Sequence, residues 1–364
     1  MTDKRFRVLI HGAGWVATQH VQAFMNNPHA EVVAISSRRL SSAQRLADRY
    51  GLAGVTCYDS LDAALKHEDV DIVSVCTPQH VHCENVLAIA AAGKHIVIEK
   101  PAANSLEELY GMREAVRKAG VKTIVSFVLR WNPLFRTIKR LIADGALGEI
   151  YFVETDYQSY NGAWWGGWED GRKKDTAVSA MAVAGCHAID AMRWFAAPGE
   201  FEAAEPVEVF AYAGGKRKGK TLQYDPTINA WQTYAPMEYD GLEVALVRFA
   251  NGALGKVSVN FECVHPYTFP LEIFGDRGSV KNNRLWSHTF PGQNDWIEIP
   301  AICPDSSDVA HHPFQGQIDH FIRCVQDDVE SHCNLADALK THEIVFAAQQ
   351  CYRDRRPVPL PLST

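Results

Sequence analysis

Apolar and polar positions follow two different rhythms along this chain. Through residue 128 the apolar residues come in short, nearly continuous runs, at 6–10, 31–36, 55–58, 71–76, 95–98 and 123–127. Runs of that kind suit strands buried on both faces of a parallel sheet. Between them lie helical signals. Residues 15–27 form the first, closed by Pro28; a capping box of Ser41 and Gln44 opens the second, which ends near Tyr50. Ser60 caps 61–67, another helix ends at Gly93, and Ser105 with Glu108 opens one that reaches Lys118. Strand and helix in strict alternation predict a doubly wound parallel sheet, which takes its ligands at the carboxyl ends of the strands.

Past Arg130 the period changes to two. After one helix at 134–144, long alternating segments at 151–157, 207–213, 243–249, 253–261 and 268–274 predict a largely antiparallel sheet, with Asn251-Gly252 as a hairpin turn. Helices at 177–195, 314–327 and 334–353 cover one of its faces, which makes this half an α+β domain. The expected division is a dinucleotide domain over 1–128 and a second domain over 129–364, with the last helix able to pack back on the first. An apolar sheet face left open calls for a second copy of the chain, a dimer or tetramer joined through it.

At 364 residues the chain exceeds one comfortable core, and 47% apolar residues can fill two. Its net charge of -7, from 36 basic and 43 acidic residues spread along the sequence, argues against a nucleic-acid partner. The one basic cluster, Lys216, Arg217, Lys218 and Lys220, reads as a solvated hairpin tip. Nine cysteines, at 57, 76, 83, 186, 263, 303, 324, 333 and 351, include no C-x-x-C pair, so neither a disulfide framework nor a thiolate metal site is expected. With no signal peptide or apolar span in view, the expectation is a cytoplasmic protein in a reducing compartment, bound to no membrane and no metal.

The chemistry gathers at five places. Gly12, Gly14, Trp15, Val16 and Ala17 form a G-x-G-x-x-A turn between the first strand and helix. Gly12 allows the turn, Gly14 lets a pyrophosphate reach the backbone, and Ala17 keeps helix and strand close. The phosphates would lie at the helix N-terminus. Ser37 stands where an NAD site usually carries an acid for the ribose 2′-hydroxyl, and Arg38 beside it suits a 2′-phosphate, so NADP is favoured with NAD as the alternative. Thr77, Pro78 and His82 follow the fourth strand and would edge the nicotinamide ribose. Glu99, Lys100 and Pro101 end the fifth strand, with the lysine aimed into the cleft. Finally, His187 and Asp190 are three residues apart, on one helical face, as a base and its orienting carboxylate require.

Taken in order, G-A-G-W-V-A, T-P-Q-H-V-H, E-K-P and G-C-H-A-I-D resemble the glucose-fructose oxidoreductase/inositol dehydrogenase family, known as Gfo/Idh/MocA, over essentially the whole chain. The resemblance implies a Rossmann domain, an open-faced sheet domain, and nicotinamide-dependent oxidation of a sugar, polyol or glycoside hydroxyl. It places Lys100 beside the reacting carbon, makes His187 and Asp190 the third motif, sets Thr77, Pro78 and His82 near the nicotinamide, and matches Arg130 to the arginine that begins the crossover. Many members carry a glycine run and an aspartate upstream of the histidine; here Ala177-Val178-Ser179 and Val183 stand there. Tyr160, Trp164, Trp165 and Trp168, set among glycines, offer aromatic faces to a pyranose or to a flat aglycone, or else pack on their own sheet. The expected reaction is therefore hydride transfer from a ring hydroxyl such as C3, with Lys100 and His187 both candidates for the base. Transient oxidation with glycoside cleavage, and a non-catalytic dinucleotide and sugar sensor, are the alternatives. Lys100 and His187 are expected to converge from the two domains.

Overall fold

The structure, a computed structural model, describes residues 5–66, 69–164, 166–301 and 312–362. It forms two compact units. One holds the chain through Trp131 and a later segment ending at Leu339; the other begins at Asn132 and takes up the chain again at Lys340. The single change of domain expected after residue 128 is thus followed by a return to the first unit and a second departure from it.

The first unit alternates β1 (Phe6–His11), α1 (Trp15–Met25), β2 (Ala30–Ser36), α2 (Leu40–Arg49), β3 (Thr56–Tyr58), α3 (Leu61–Leu65), β4 (Ile72–Val75), α4 (His82–Ala91), β5 (His95–Ile98), α5 (Leu106–Ala119) and β6 (Thr123–Val125). All pairs in its sheet are parallel, in the order β3-β2-β1-β4-β5-β6. Val8, Leu9, Ile10, Ile72, Val73 and Ile96 have no exposed surface, as continuous apolar runs under helices on both faces require. Ser60 and Ser105 cap their helices through Ala63 N and Glu108 N. Ser41 does not cap α2. The loop before it is held by Ser37 N donating to Tyr58 O, so the first turn closes earlier, on Arg39 O, and leaves Ser41 inside the helix.

The second unit contains α6 (Pro133–Ala143), β7 (Ile150–Gln158), α7 (Trp168–Gly171), α8 (Lys174–Ala177), α9 (Cys186–Ala196), β8 (Pro206–Gly214), a separate hairpin of β9 (Leu222–Asp225) and β10 (Ala230–Thr233), then β11 (Leu242–Phe249), β12 (Leu254–Asn260), β13 (Leu271–Gly275), β14 (Gly278–Lys281), β15 (Arg284–Ser287) and β16 (Ile297–Glu298). The return segment supplies α10 (Phe314–Gln326) to the first unit. Then α11 (Leu335–Asp354) leads to β17 (Val358–Pro359) at an edge of the large sheet. That sheet runs β16-β15-β14-β13-β7-β12-β11-β8-β17, antiparallel except where β7 meets β12 in parallel. Asn251-Gly252 turns β11 into β12, with Gly252 at φ +89°.

One face of this sheet, with Val153, Val209, Ala245, Val257 and Val259, is buried. On the other face Tyr212, Leu246 and Leu254 are 66%, 54% and 48% exposed. The helix expected over 177–195 is interrupted. Val178 takes φ 67° and ψ -65°, and Ser179 N donates to Ala177 O across it, a classic γ-turn. A π-helical turn, Met181–Gly185, then runs into α9. Arg217, expected to be solvated, is half-buried and donates to Asn161 O, Phe261 O and Gln223 Oε1; Lys216, Lys218 and Lys220 are exposed as expected.

Candidate active site

The site in the first unit grows from its strand ends. Gly12 follows β1 at φ +109°, and a Cβ there would stand 2.5 Å from the carbonyl oxygen of Cys76 at the end of β4. Gly14 is the N-cap of α1. No side chain caps it, and a Cβ on it would meet nothing within 4 Å. A helix N-terminus without a side-chain cap, beside open space at Gly14, fits a pyrophosphate. Trp15 is 49% exposed and Ala17 fully buried, so small size is demanded only at the second of these positions. Ser37 is half-buried at the end of β2 and Arg38 beside it is exposed.

Thr77 and Lys100 complete this edge. His82 is buried, with Nε2 2.8 Å from Thr77 O and Nδ1 3.0 Å from Pro101 O. It ties the loop after β4 to the turn after β5, and a neutral ring donates to only one of these carbonyls. Asn85 Nδ2 donates to Thr77 Oγ1. The Lys100-Pro101 peptide is cis. Glu99, also buried, pairs with His20 of α1 at 2.8 Å, and its other oxygen accepts from Lys100 N. Arg130 is buried, donating to His332 O and, at 2.6 Å, to Asp337 Oδ2.

In the second unit the candidate base lies on α9. His187 and Asp190 are 4% and 2% exposed, and Asp190 Oδ1 accepts from Thr341 Oγ1, which also takes a bond from Arg193. Close packing seats this helix. A Cβ on Gly185 would lie 2.1 Å from Val259 Cγ2, so glycine is needed there for contact with β12. Thr155 Oγ1 of β7 donates to Ala188 O. At the C-terminal end, buried Lys139 Nζ donates to Trp194 O and Ala197 O, placing a cation at the negative end of the helix dipole.

Of the aromatic loop, Tyr160 and Trp164 stack with centroids 5.1 Å apart, and the Arg217 guanidinium lies 4.4 Å from the Tyr160 ring. Trp168 is buried and its Nε1 donates to Ala235 O. Trp165 lies outside the described residues. Among the described residues no group of three or more His, Cys, Asp or Glu could hold a metal, the eight cysteines are free thiols, and no helix is long and apolar enough to cross a membrane.

Three participants escaped the sequence reading. His20 reads as one more residue on a helix face, Glu243 as an acid in an alternating strand, and Arg217 as part of a basic loop. Glu243 is buried beneath the turn that leads into α9, accepting from Ser179 Oγ, Met181 N and Tyr352 Oη. Burial pushes its carboxyl up to about 7 against those bonds.

Comparison with known proteins agrees with this division. Residues 6–127 match the oxidoreductase family model described as an NAD-binding Rossmann fold, and residues 135–281 match the GFO/IDH/MocA C-terminal domain. The uncharacterised oxidoreductase YrbE of Bacillus subtilis is 27% identical over 96% of this chain and 95% of its own length. D-glucoside 3-dehydrogenase of Escherichia coli is 38% identical over 42% of this chain and 43% of its own. The solved structure of a levoglucosan dehydrogenase in complex with NADH and levoglucosan superposes with a TM-score of 0.81 at 21% identity, covering 99% of this chain and all of that one.

Proposed function

The chain belongs to the Gfo/Idh/MocA oxidoreductase family, and from that premise we propose that it oxidises a ring secondary hydroxyl of a pyranose or pyranoside, C3 being the favoured position. One observation carries the redox part. Gly12–Gly14, Ser37–Arg38, Thr77 and Lys100 all stand at the carboxyl ends of parallel neighbours, β1, β2, β4 and β5, around an uncapped helix N-terminus. That edge of a doubly wound sheet is where a dinucleotide binds. The sugar class is supported by the partial likeness to D-glucoside 3-dehydrogenase, and the stacked Tyr160 and Trp164 suit a pyranose face.

Residues 12–17 would hold the pyrophosphate, Ser37 and Arg38 the adenosine ribose, with NADP preferred over NAD, and Thr77 and Pro78 the nicotinamide side. Bound there, the nicotinamide supplies a hydride acceptor. The remaining task, removal of the hydroxyl proton, falls to Lys100 and His187: one takes it and the other hydrogen-bonds the oxygen as negative charge develops. Asp190, engaged by Thr341, holds its part of α9 in place. Arg130, committed to Asp337 and His332, braces the crossover.

The test is cofactor reduction across a panel of pyranosides, free sugars, inositols and open-chain polyols. Reduction with pyranosides supports the reading, and activity confined to inositols or open-chain polyols overturns the substrate class. Substrate cleavage without net reduction indicates the transient-oxidation alternative. Lys100→Ala and His187→Ala should each lower kcat by about 100-fold or more while cofactor affinity stays within severalfold. Retained turnover in both overturns the mechanism.

We further propose that the open face of the large sheet joins two copies of the chain. Leu246 stands opposite Phe210 on β8, and Leu254 opposite Phe152 on β7, two apolar pairs divided on that face by Lys256 and Arg248, the residues opposite Leu246 and Leu254. Leu246→Asp should convert the assembly to monomers in light scattering, whereas a wild-type monomer removes the proposal.

A further inference from the structure

His20 sits on the buried face of α1, six residues beyond Gly14, with no exposed surface. Its Nδ1 lies 2.8 Å from Ser74 Oγ on β4, and its Nε2 lies 2.8 Å from Glu99 Oε1 at the end of β5. The Phe314 ring of α10 closes over it with centroids 5.1 Å apart, and His312 stands beside that ring. Glu99 is shared: one oxygen meets His20, and the other accepts from the backbone N–H of Lys100 at 3.3 Å. A charged carboxylate so deeply buried needs a compensating cation. His20, when protonated, is the cation within bonding distance of it.

We propose that His20 is a positioning residue for Lys100, acting through Glu99 and joining the dinucleotide helix to the strand end that presents the lysine. The inference rests on the reading of Lys100 as a catalytic group, and it adds to the site a residue that never touches substrate. Two consequences follow from the charges. The ion pair is neutral as a whole, so the Glu99 charge is already met by His20 before Lys100 is counted. Without His20, Lys100 is left as a cation that must compensate the Glu99 charge, which makes its ammonium harder to deprotonate.

The surroundings agree. Burial opposes a charged His20, yet Cys76 and Glu99 together push its ring up to about 10. Burial likewise opposes the Glu99 anion, and the bond and charge of His20, followed by Lys100 and the Ser126 hydroxyl, hold it below the usual carboxylate range. His82 also faces Glu99, and burial keeps its ring low.

The test reads Lys100 directly. With ε-13C-labelled lysine, the Lys100 resonance is assigned by its loss in Lys100→Ala and titrated in wild type, His20→Gln and the His20→Gln/Glu99→Gln pair. In His20→Gln it should titrate about one pH unit higher, and in the double variant it should return to the wild-type position. An unmoved resonance in His20→Gln, or one still displaced in the double variant, overturns the proposal. Should His20→Gln fail to fold, the wild-type ring decides: a His20 imidazole found neutral near pH 7 refutes the ion pair. Turnover retained by Lys100→Ala would overturn the functional reading instead, and the titration would still stand or fall on its own.

Discussion

Gly12 lies against the end of β4 so tightly that a Cβ on it would come within 2.5 Å of the Cys76 carbonyl oxygen, whereas Gly14, two residues on, has nothing within 4 Å of the same position. The two glycines of one motif therefore answer to different demands. Gly12 serves the fold, through its φ of +109° and the backbone beside it; Gly14 has no such packing demand and is the glycine proposed to make room for the ligand.

Gly12→Ala should accordingly lower unfolding stability by about 2 kcal/mol or more, from the strained φ and the displaced strand end together. Gly14→Ala should change stability by less than about 0.5 kcal/mol yet weaken dinucleotide binding by about tenfold or more, because the added methyl fills the space a phosphate needs. Thermal melts with and without cofactor separate the two. Equal loss of stability in both variants would refute the assignment.

Arg38 is exposed just beyond β2, with half-buried Ser37 where an acid would enforce NAD. If its guanidinium meets a 2′-phosphate, Arg38→Ala should cost NADP about 10- to 100-fold in kcat/KM, the worth of a charge-assisted bond, and change NAD little. Steady-state kinetics with both cofactors decide it, and a wild-type enzyme strongly preferring NAD overturns the expectation.

The first unit, the cap of α2 apart, was legible because its cues are local. Apolar runs such as 71–76 had to be buried strands, Ser60 and Ser105 cap as their spacing demands, and Gly12 and Gly14 mark the turn. The misreadings all come from contacts distant in sequence. Arg217 resembles any loop cation until Asn161 and Phe261 bring carbonyls to it. The helix through 177–195 has an unbroken apolar pattern, and nothing local announces that Val178 will leave it. Glu243 occupies an inward position of β11 that alternation reserves for an apolar side chain, and only the turn above it explains the exception.

That turn carries strain. A β-branched residue at φ 67° and ψ -65° occupies a region that L side chains rarely adopt, at a cost of order 1–3 kcal/mol. Val178→Gly removes the cost at the position where the family's glycine run is missing. The variant should unfold at higher urea concentration, by about 1 kcal/mol after the loss of a half-buried side chain. A destabilised variant would show that packing of the valine outweighs the backbone term.

Glu243 ties the stability of this turn to pH. Its carboxyl rises from 4.5 to about 7 on folding, chiefly through burial, while the bonds from Tyr352, Ser179 and Met181 N pull the other way. Tyr352 and Tyr239 are the titratable groups facing it, and burial raises both beyond the range in question. Between about pH 4.5 and 7 the native state thus binds more protons than the unfolded chain. The sign is the reverse of a salt-bridged carboxylate: this contribution is complete below the lower value, falls as pH rises, and is gone above about 7. The 2.5-unit interval corresponds to about 3 kcal/mol as an upper bound. Glu243→Gln keeps an acceptor for the same donors and cannot ionise, so its stability relative to wild type should grow as pH rises from about 5 to 8. Urea unfolding of both proteins across that range measures the difference, and a constant gap would show that Glu243 titrates at its ordinary value in the folded chain.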